Sequence, residues 1–312
     1  MNYIEKTKEL KAKIDITIRP YIKSDFIFLG LPYYDNIGDV LIWEGTEQFL
    51  KGISFKCLQR ASIETFDFPD LQNDITILLQ GGGNFGDVWF EHQDFRLKVI
   101  QKYSKNPIII LPQSVFYNDE SVCVSECEIL KQHPKLTVFA RDKYSYELLH
   151  SKSLDVKLAP DMAFYISLEE LNTKNVLNGN TNLMLMRGDK ELANYDYSSY
   201  VFSVDEIEKH DWPSYESKLW FLQIMYKLKC KPIRTIGLAD WWGLNFFKKK
   251  MISTGVRFLN RYNTIYTTRL HGAILSVLLG KDVVLFDNSY GKNSGYYDTW
   301  LYDLDSIKMI RK

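Results

Sequence analysis

The sequence predicts an α/β fold of two Rossmann-like domains with parallel sheets, and three observations carry that reading. Short runs rich in β-branched residues, such as Ile75-Thr76-Ile77-Leu78-Leu79, alternate with stretches of helical periodicity. Such alternation marks parallel strands joined by crossover helices. The rhythm breaks between about residues 167 and 182, where polar turn formers dominate, and then restarts. A chain of 312 residues is also long enough for two cores. We therefore expect an N-terminal domain over 1–170 and a C-terminal domain over 180–312.

The elements follow in order. Ile4, Leu10 and Ile14 are spaced for one face of a leading amphipathic helix. A strand at 25–30 precedes the loop Tyr33 to Asp39 and a helix over about 40–51. Asp39 is either the N-cap of that helix or a carboxylate at the carboxyl end of a strand, where open α/β sheets bind ligands. Further strands are expected at 53–58, 75–79, 107–111, 136–140 and 155–158, and helices at 88–103, 122–131 and 144–149. In the second half we expect strands at 183–186, 232–236, 264–267 and 283–286. Helices are expected there at 213–227, 240–251, 273–279 and 298–312, the last packing back on the first domain.

Composition narrows the function. Lys plus Arg and Asp plus Glu are both 39, so no global basic field favours nucleic acid. Any anionic ligand must be held by local cations. The four cysteines form neither a disulfide framework nor a convincing zinc site, and fit a reducing cytoplasm. No stretch is apolar and long enough to cross a bilayer. Trp241-Trp242, Phe246-Phe247 and Lys248-Lys249-Lys250 read either as an amphipathic helix with a solvated basic end or as a peripheral membrane contact.

Gly81-Gly82-Gly83-Asn84-Phe85-Gly86-Asp87 follows a predicted strand and contains a GxGxxG match. A dinucleotide fingerprint needs an acidic residue at the end of the next strand, and Pro112-Gln113-Ser114 stands there instead. The segment is then either a turn that lets strand and helix pack or a loop facing an interdomain cleft. In the second half, Arg269 and His271 sit where a strand passes into a helix, a place that favours anions. Arg187 ends the first strand of the same half and can face the same edge. The plainer alternative pairs Arg269 with an acid such as Asp240 and leaves His271 as a capping residue.

Taken together, six segments resemble the polysaccharide pyruvyl transferase family. They are Asn36-Ile37-Gly38-Asp39, Gly81 to Asp87, Leu111-Pro112-Gln113-Ser114, Ala140-Arg141-Asp142, Asp161-Met162-Ala163-Phe164 and Arg269-Leu270-His271-Gly272, in the family's order. The resemblance implies a GT-B-like arrangement with the active site in an interdomain cleft. It implies phosphoenolpyruvate as donor, a hexose as acceptor and no cofactor or metal. It assigns Arg269 and His271, with Arg187 beside them, to the donor. Asp39, Asp87 and His271 are the candidate acid–base residues, and Asn36, Asn84 and Asp87 the candidate acceptor ligands. The implied product is a pyruvate ketal in a surface polysaccharide, made in the cytoplasm or at the inner membrane face on a lipid-linked or oligosaccharide acceptor. The rival readings are a GT-B glycosyltransferase using a nucleotide sugar and a non-catalytic sugar-binding protein of an assembly complex.

Overall fold

The structure is a computed structural model that describes residues 1–171, 181–188, 207–213, 224–225, 227–228, 236–288 and 291–311. The middle of the expected linker, 172–180, the tyrosines Tyr195, Tyr197 and Tyr200, most of the helix expected at 213–227 and residues 232–235 of the strand expected at 232–236 lie outside the described residues.

Helix α1 (Tyr3–Ile18) opens on a capping box in which Asn2 and Glu5 each accept the other's backbone N–H. Then come β1 (Phe26–Leu29), α2 (Ile37–Lys51), β2 (Cys57–Ala61), β3 (Thr76–Leu79), β4 (Gly82–Phe85) and α3 (Phe90–Lys102). The first half closes with β5 (Ile108–Val115), α4 (Glu120–Lys131), β6 (Leu136–Ala140), α5 (Lys143–Ser151) and β7 (Val156–Leu158). Its sheet runs β2-β1-β3-β5-β6-β7, with β4 paired to β5.

The second half holds β8 (Asn182–Leu185), β9 (Ile207–His210), α6 (Ile236–Trp242), α7 (Lys248–Leu259) and β10 (Thr264–Thr267). After these come α8 (Leu270–Leu278), β11 (Asp282–Phe286), α9 (Lys292–Tyr296) and β12 (Ile307–Ile310). The sheet order is β12-β11-β10-β8-β9. Pairing in both sheets is parallel, as the alternating sequence pattern requires.

Four expectations are corrected. The chain after Tyr302 is not helical: helix α9 runs on through a π-helical turn, Tyr297–Leu301, and Ile307–Ile310 pairs with β11. An open strand edge supplies backbone partners that local periodicity cannot foresee. Strand β2 starts at Cys57 rather than 53, because the chain is still turning off the end of α2, where the Ile53 amide bonds to the Leu50 carbonyl. Strand β5 extends through Pro112 to Val115, and the register with β6 shifts between Ile110 and Gln113, where proline cannot donate. The glycine segment is itself a short strand, joined to β5 at Gly82–Gln113 and Phe85–Val115. Gly86 has φ +119°, and a Cβ there would lie 1.8 Å from the Phe116 carbonyl oxygen. Side chains are excluded by that backbone contact, and α3 begins only at Phe90, so no strand–turn–helix phosphate loop forms.

Alternation along the strands sorts the core. Ile27, Leu29, Ile77, Leu79, Ile108 and Ile110 face the side covered by Phe95 of α3 and Cys123 and Cys127 of α4. Phe26, Phe28, Leu78 and Ile109 face the opposite side, packing with α1 and α2. The same apolar cluster continues into Leu183, Leu185 and Ile265 of the second sheet. Helix α2 contacts α7 and α8, so one continuous core joins the two halves. A buried leucine or phenylalanine contributes roughly 1.5–3 kcal/mol, which fixes the relative placement of loops at the facing sheet ends.

The run from Trp241 to Lys250 is divided by its helix. Phe247 and Lys248 are buried, Lys248 pairing with Glu44 at 2.5 Å, while Trp241 and Phe246 stay exposed. Among the described residues no helix is long and apolar enough to cross a membrane.

Candidate active site

Both sheets reverse their strand order at one place, between β1 and β3 in the first and between β8 and β10 in the second. Crevices at such reversals, beyond the carboxyl ends of the strands, are where doubly wound sheets bind ligands. Strand β1 leads to Asn36 and Asp39, β3 to the glycine segment, β8 to Arg187, and β10 to Arg269 and His271. A single cavity of 690 Å³ is lined from all four.

On the first half, the N-cap of α2 is Asn36 and not Asp39. Asn36 Oδ1 accepts the Gly38 amide at 2.9 Å, and its Nδ2 donates to Asp39 Oδ2 at 2.9 Å. Tyr34 donates to the same Oδ2 at 2.8 Å. Burial, and then the Asp39 charge, push the Tyr34 phenol well above its ordinary pKa, so it remains a donor. Asp39 is thus gripped through one oxygen while the carboxylate as a whole lines the cavity.

The glycine segment meets cations rather than a dinucleotide. A Cβ on Gly83 would lie 2.5 Å from Lys292 Nζ and 3.1 Å from Arg141 Nη2. Lys292 donates to the Gly83 carbonyl at 3.2 Å. Asn84 lines the cavity, and its Oδ1 accepts from Arg96 at 2.8 Å and Gln113 at 3.3 Å. Burial lowers the Arg96 pKa to about 10. Asp87 does not line the cavity. Its carboxylate accepts the backbone N–H groups of Asn118 and Asp119 at 2.8–2.9 Å, ordering the approach to α4. Those donors explain why it turns away from the acceptor position expected of it.

At the floor stand Arg141, Asp161 and His271. Arg141 is 2% exposed and Asp161 fully buried, their ion pair measuring 2.6 Å. His271 Nε2 lies 3.4 Å from Asp161 Oδ2 and 3.5 Å from Arg141 Nη1. Burial works to raise the Asp161 pKa, but His271 and Arg141 outweigh it and hold the carboxyl well below its usual range. Arg141 Nε donates to Ser114 at 2.8 Å, and Ser114 to Asp142 at 2.6 Å. The second half locks this group from behind: Trp300 Nε1 donates to the Arg141 carbonyl at 2.7 Å, and the Asp161 amide to Tyr296 at 3.1 Å. Segments far apart in the chain are therefore one network, in which Gly38 makes room for His271: a Cβ there would sit 2.7 Å from its Nδ1.

Arg269 and Arg187 line the opposite wall. Arg269 makes a bidentate pair with Asp211, both contacts at 2.5 Å, and Asp240 instead accepts from Tyr33 at 2.7 Å and Thr65 at 3.1 Å. The Arg187 amide donates to Thr268 at 3.1 Å. The structure thus brings Asn36, Asp39, Asn84, Arg187, Arg269 and His271 to one cavity and leaves out Asp87. The sequence places Arg141 and Asp161 in motifs without a role and does not single out Tyr34 or Lys292. A buried Arg–Asp pair leaves no periodic signal, and Lys292 follows a strand like any loop lysine.

Comparison with known proteins identifies the family. The family model described as polysaccharide pyruvyl transferase matches residues 36–290. EpsO of Bacillus subtilis (strain 168), provisionally described as a pyruvyl transferase, is 33% identical over 93% of this chain and 89% of its own length. Pyruvyl transferase 1 of Schizosaccharomyces pombe is 25% identical over 90% of this chain and 71% of its own. A functionally uncharacterized protein of Klebsiella pneumoniae shares the fold with a TM-score of 0.67 at 22% identity, covering 96% of this chain and 98% of its own. On the family match and the similarity to EpsO, the chain belongs to the polysaccharide pyruvyl transferase family.

Proposed function

We propose that the protein moves the pyruvyl group of phosphoenolpyruvate onto two hydroxyls of a hexose, closing a pyruvate ketal and releasing phosphate during surface polysaccharide synthesis. One observation carries the reading. The cations Arg187, Arg269 and Lys292 of the second half, with His271 beside them, share a cavity with a positioned carboxylate, Asp39, of the first. Phosphoenolpyruvate is a small, multiply charged anion, and its acceptor must lose protons. A site for this pair needs anion clamps, an acid and a base.

In the proposed mechanism the two halves are domains of GT-B type, with the donor held by the second. Arg187 and Arg269 clamp the donor's carboxylate and phosphate. The bidentate Asp211 pair already displays the fork geometry that a carboxylate or phosphate can take over. Lys292 adds charge beside Gly83. His271, paired with ionised Asp161, protonates the methylene carbon and generates a cation at C2. A sugar hydroxyl adds there while Asp39 takes its proton, and Asn36 and Asn84 orient the sugar. Phosphate then leaves with that proton. The second hydroxyl adds to C2 and returns its proton to His271. The sum is phosphoenolpyruvate plus a diol giving ketal plus phosphate, which balances with no metal or other cofactor. The proposed setting is the cytoplasm, at the inner membrane face, with a lipid-linked acceptor.

The test is incubation with phosphoenolpyruvate and a panel of lipid-linked and free sugars. Support is phosphate release together with a sugar mass gain of one pyruvate less one water. No phosphate release with any acceptor in the panel counts against the reading, as does a nucleotide-sugar donor that is consumed instead.

A further inference from the structure

The rim of the cavity on the first half carries two side chains that local physics would place elsewhere. Phe90 is 75% exposed and Trp89 39% exposed, and both line the cavity. Large apolar side chains grouped on a cavity rim mark a binding surface. Trp89 also occupies the N-cap of α3, where no side chain caps the helix. Helices α1, α2, α4 and α5 are capped by Asn2, Asn36, Asp119 and Asp142. An aromatic ring has replaced the oxygen that would satisfy an orphan N–H. Departures from local preference of this kind are expected at functional sites.

The surroundings indicate what the rings bind. Tyr34 and His92 line the same cavity and pack edge to face, ring centroids 5.6 Å apart. Burial holds the His92 pKa below its ordinary value, so this wall presents uncharged rings near neutral pH. Asp35, Asp39, Glu64 and Glu91 line the same half, where the one lining cation, Arg141, is buried against Asp161, whereas Arg187, Arg269 and Lys292 come from the other. A pyranose has an apolar C–H face that stacks on aromatic rings and a rim of hydroxyls that donate to carboxylates. A uronate would bring its charge against the acidic wall.

Resting on the pyruvyl-transfer reading, we infer that Trp89 and Phe90 form a stacking platform for the acceptor, and that the unit stacked there is an uncharged hexopyranose. The platform holds the sugar at the rim so that its hydroxyl pair reaches Asp39 on the side away from the donor cations.

The experiment uses the full chain in two assays. The first is a fluorescence titration with methyl hexosides and the matching methyl hexuronosides, comparing wild type with Trp89→Phe so that the Trp89 signal is isolated. The second is steady-state phosphate release from phosphoenolpyruvate. The neutral hexoside is expected to quench Trp89. Trp89→Ala and Phe90→Ala each raise the acceptor KM about tenfold, as the loss of one aromatic contact does. The KM for phosphoenolpyruvate stays within about twofold, and Trp89→Phe retains acceptor binding. Unchanged acceptor KM in both alanine variants overturns the platform, and so does a uronate that binds as tightly as the neutral sugar. If wild type releases no phosphate with any acceptor, the pyruvyl-transfer reading fails. Quenching of Trp89 by the hexoside then still decides the platform.

Discussion

Replacing Gly38 with alanine tests whether the first-half loop and the second-half histidine form one site. The added Cβ would stand 2.7 Å from His271 Nδ1 and 3.0 Å from its Cβ and Cγ. Comfortable contacts begin at about 3.5 Å. Turning the ring about its Cβ–Cγ bond moves neither of those carbons, so the whole side chain must withdraw by about 0.5–1 Å. That movement breaks the 3.4 Å approach to Asp161. A shift of this size at a reacting group costs roughly a hundredfold in rate. Stability changes little by comparison: alanine gains about 0.5–1 kcal/mol over glycine inside a helix, against about 1–3 kcal/mol for overpacking. The assay is phosphate release at saturating phosphoenolpyruvate and acceptor, with urea unfolding in parallel. We expect kcat to fall about a hundredfold in a folded protein. Gly295→Ala, with nothing within 4 Å of its Cβ, is the control that keeps its rate. A folded Gly38→Ala protein with kcat near wild type refutes the argument.

Other expected outcomes follow from the same geometry. Asp161→Asn strands the Arg141 charge in the interior and should cost about 3–5 kcal/mol by urea denaturation. Because the folded pKa of Asp161 is depressed, its stabilisation is present above the ordinary carboxylate range and disappears as pH falls through the folded value. The gap between wild type and variant should therefore close in acid, and a gap that is constant with pH contradicts the pairing. Asp240 behaves oppositely: burial raises its pKa to about 6 despite the Tyr33 and Thr65 hydroxyls. The folded state then binds its proton more tightly than the unfolded one, and ionising it as pH rises from about 4 to 7 weakens the fold. Asp240→Asn should gain on wild type by about 2 kcal/mol over that range, discounted for partial exposure. No pH-dependent gain means that the carboxyl is not desolvated. Arg269→Ala and Arg187→Ala should each weaken phosphoenolpyruvate binding by about tenfold to a hundredfold in calorimetry, the scale of a lost charge-assisted hydrogen bond. Lys292→Met should cost about tenfold on the same scale. Affinities that stay at the wild-type level remove these residues from the donor site.

Much of the site was legible because its residues sit at strand ends. Arg269 and His271 follow β10, Arg187 follows β8, and Asn36 and Asp39 follow β1, positions that hydrophobic periodicity locates directly. Asp87 lies outside the cavity because the amides of Asn118 and Asp119 hold its carboxylate, a contact the sequence does not show. Strand β12 was misread as helix because its partner edge, β11, is a tertiary feature. Strand β9 and its neighbour Asp211, which pairs with Arg269, gave no periodic signal strong enough to stand out.

Sequence alone determined the α/β class, the parallel sheets, the two-part rhythm and the family, because strand and helix periods and short motifs are local properties. Only the tertiary structure decided which motifs meet. Arg141 and Asp161 are separated along the chain from His271, yet burial forces the two charges to pair and sets the histidine against them. Gly38 and Gly83 read as turn residues in one dimension. In three dimensions they are the spaces into which His271 and Lys292 fit. Local chemistry can specify where a side chain starts, but the packing of one half against the other decides what it touches.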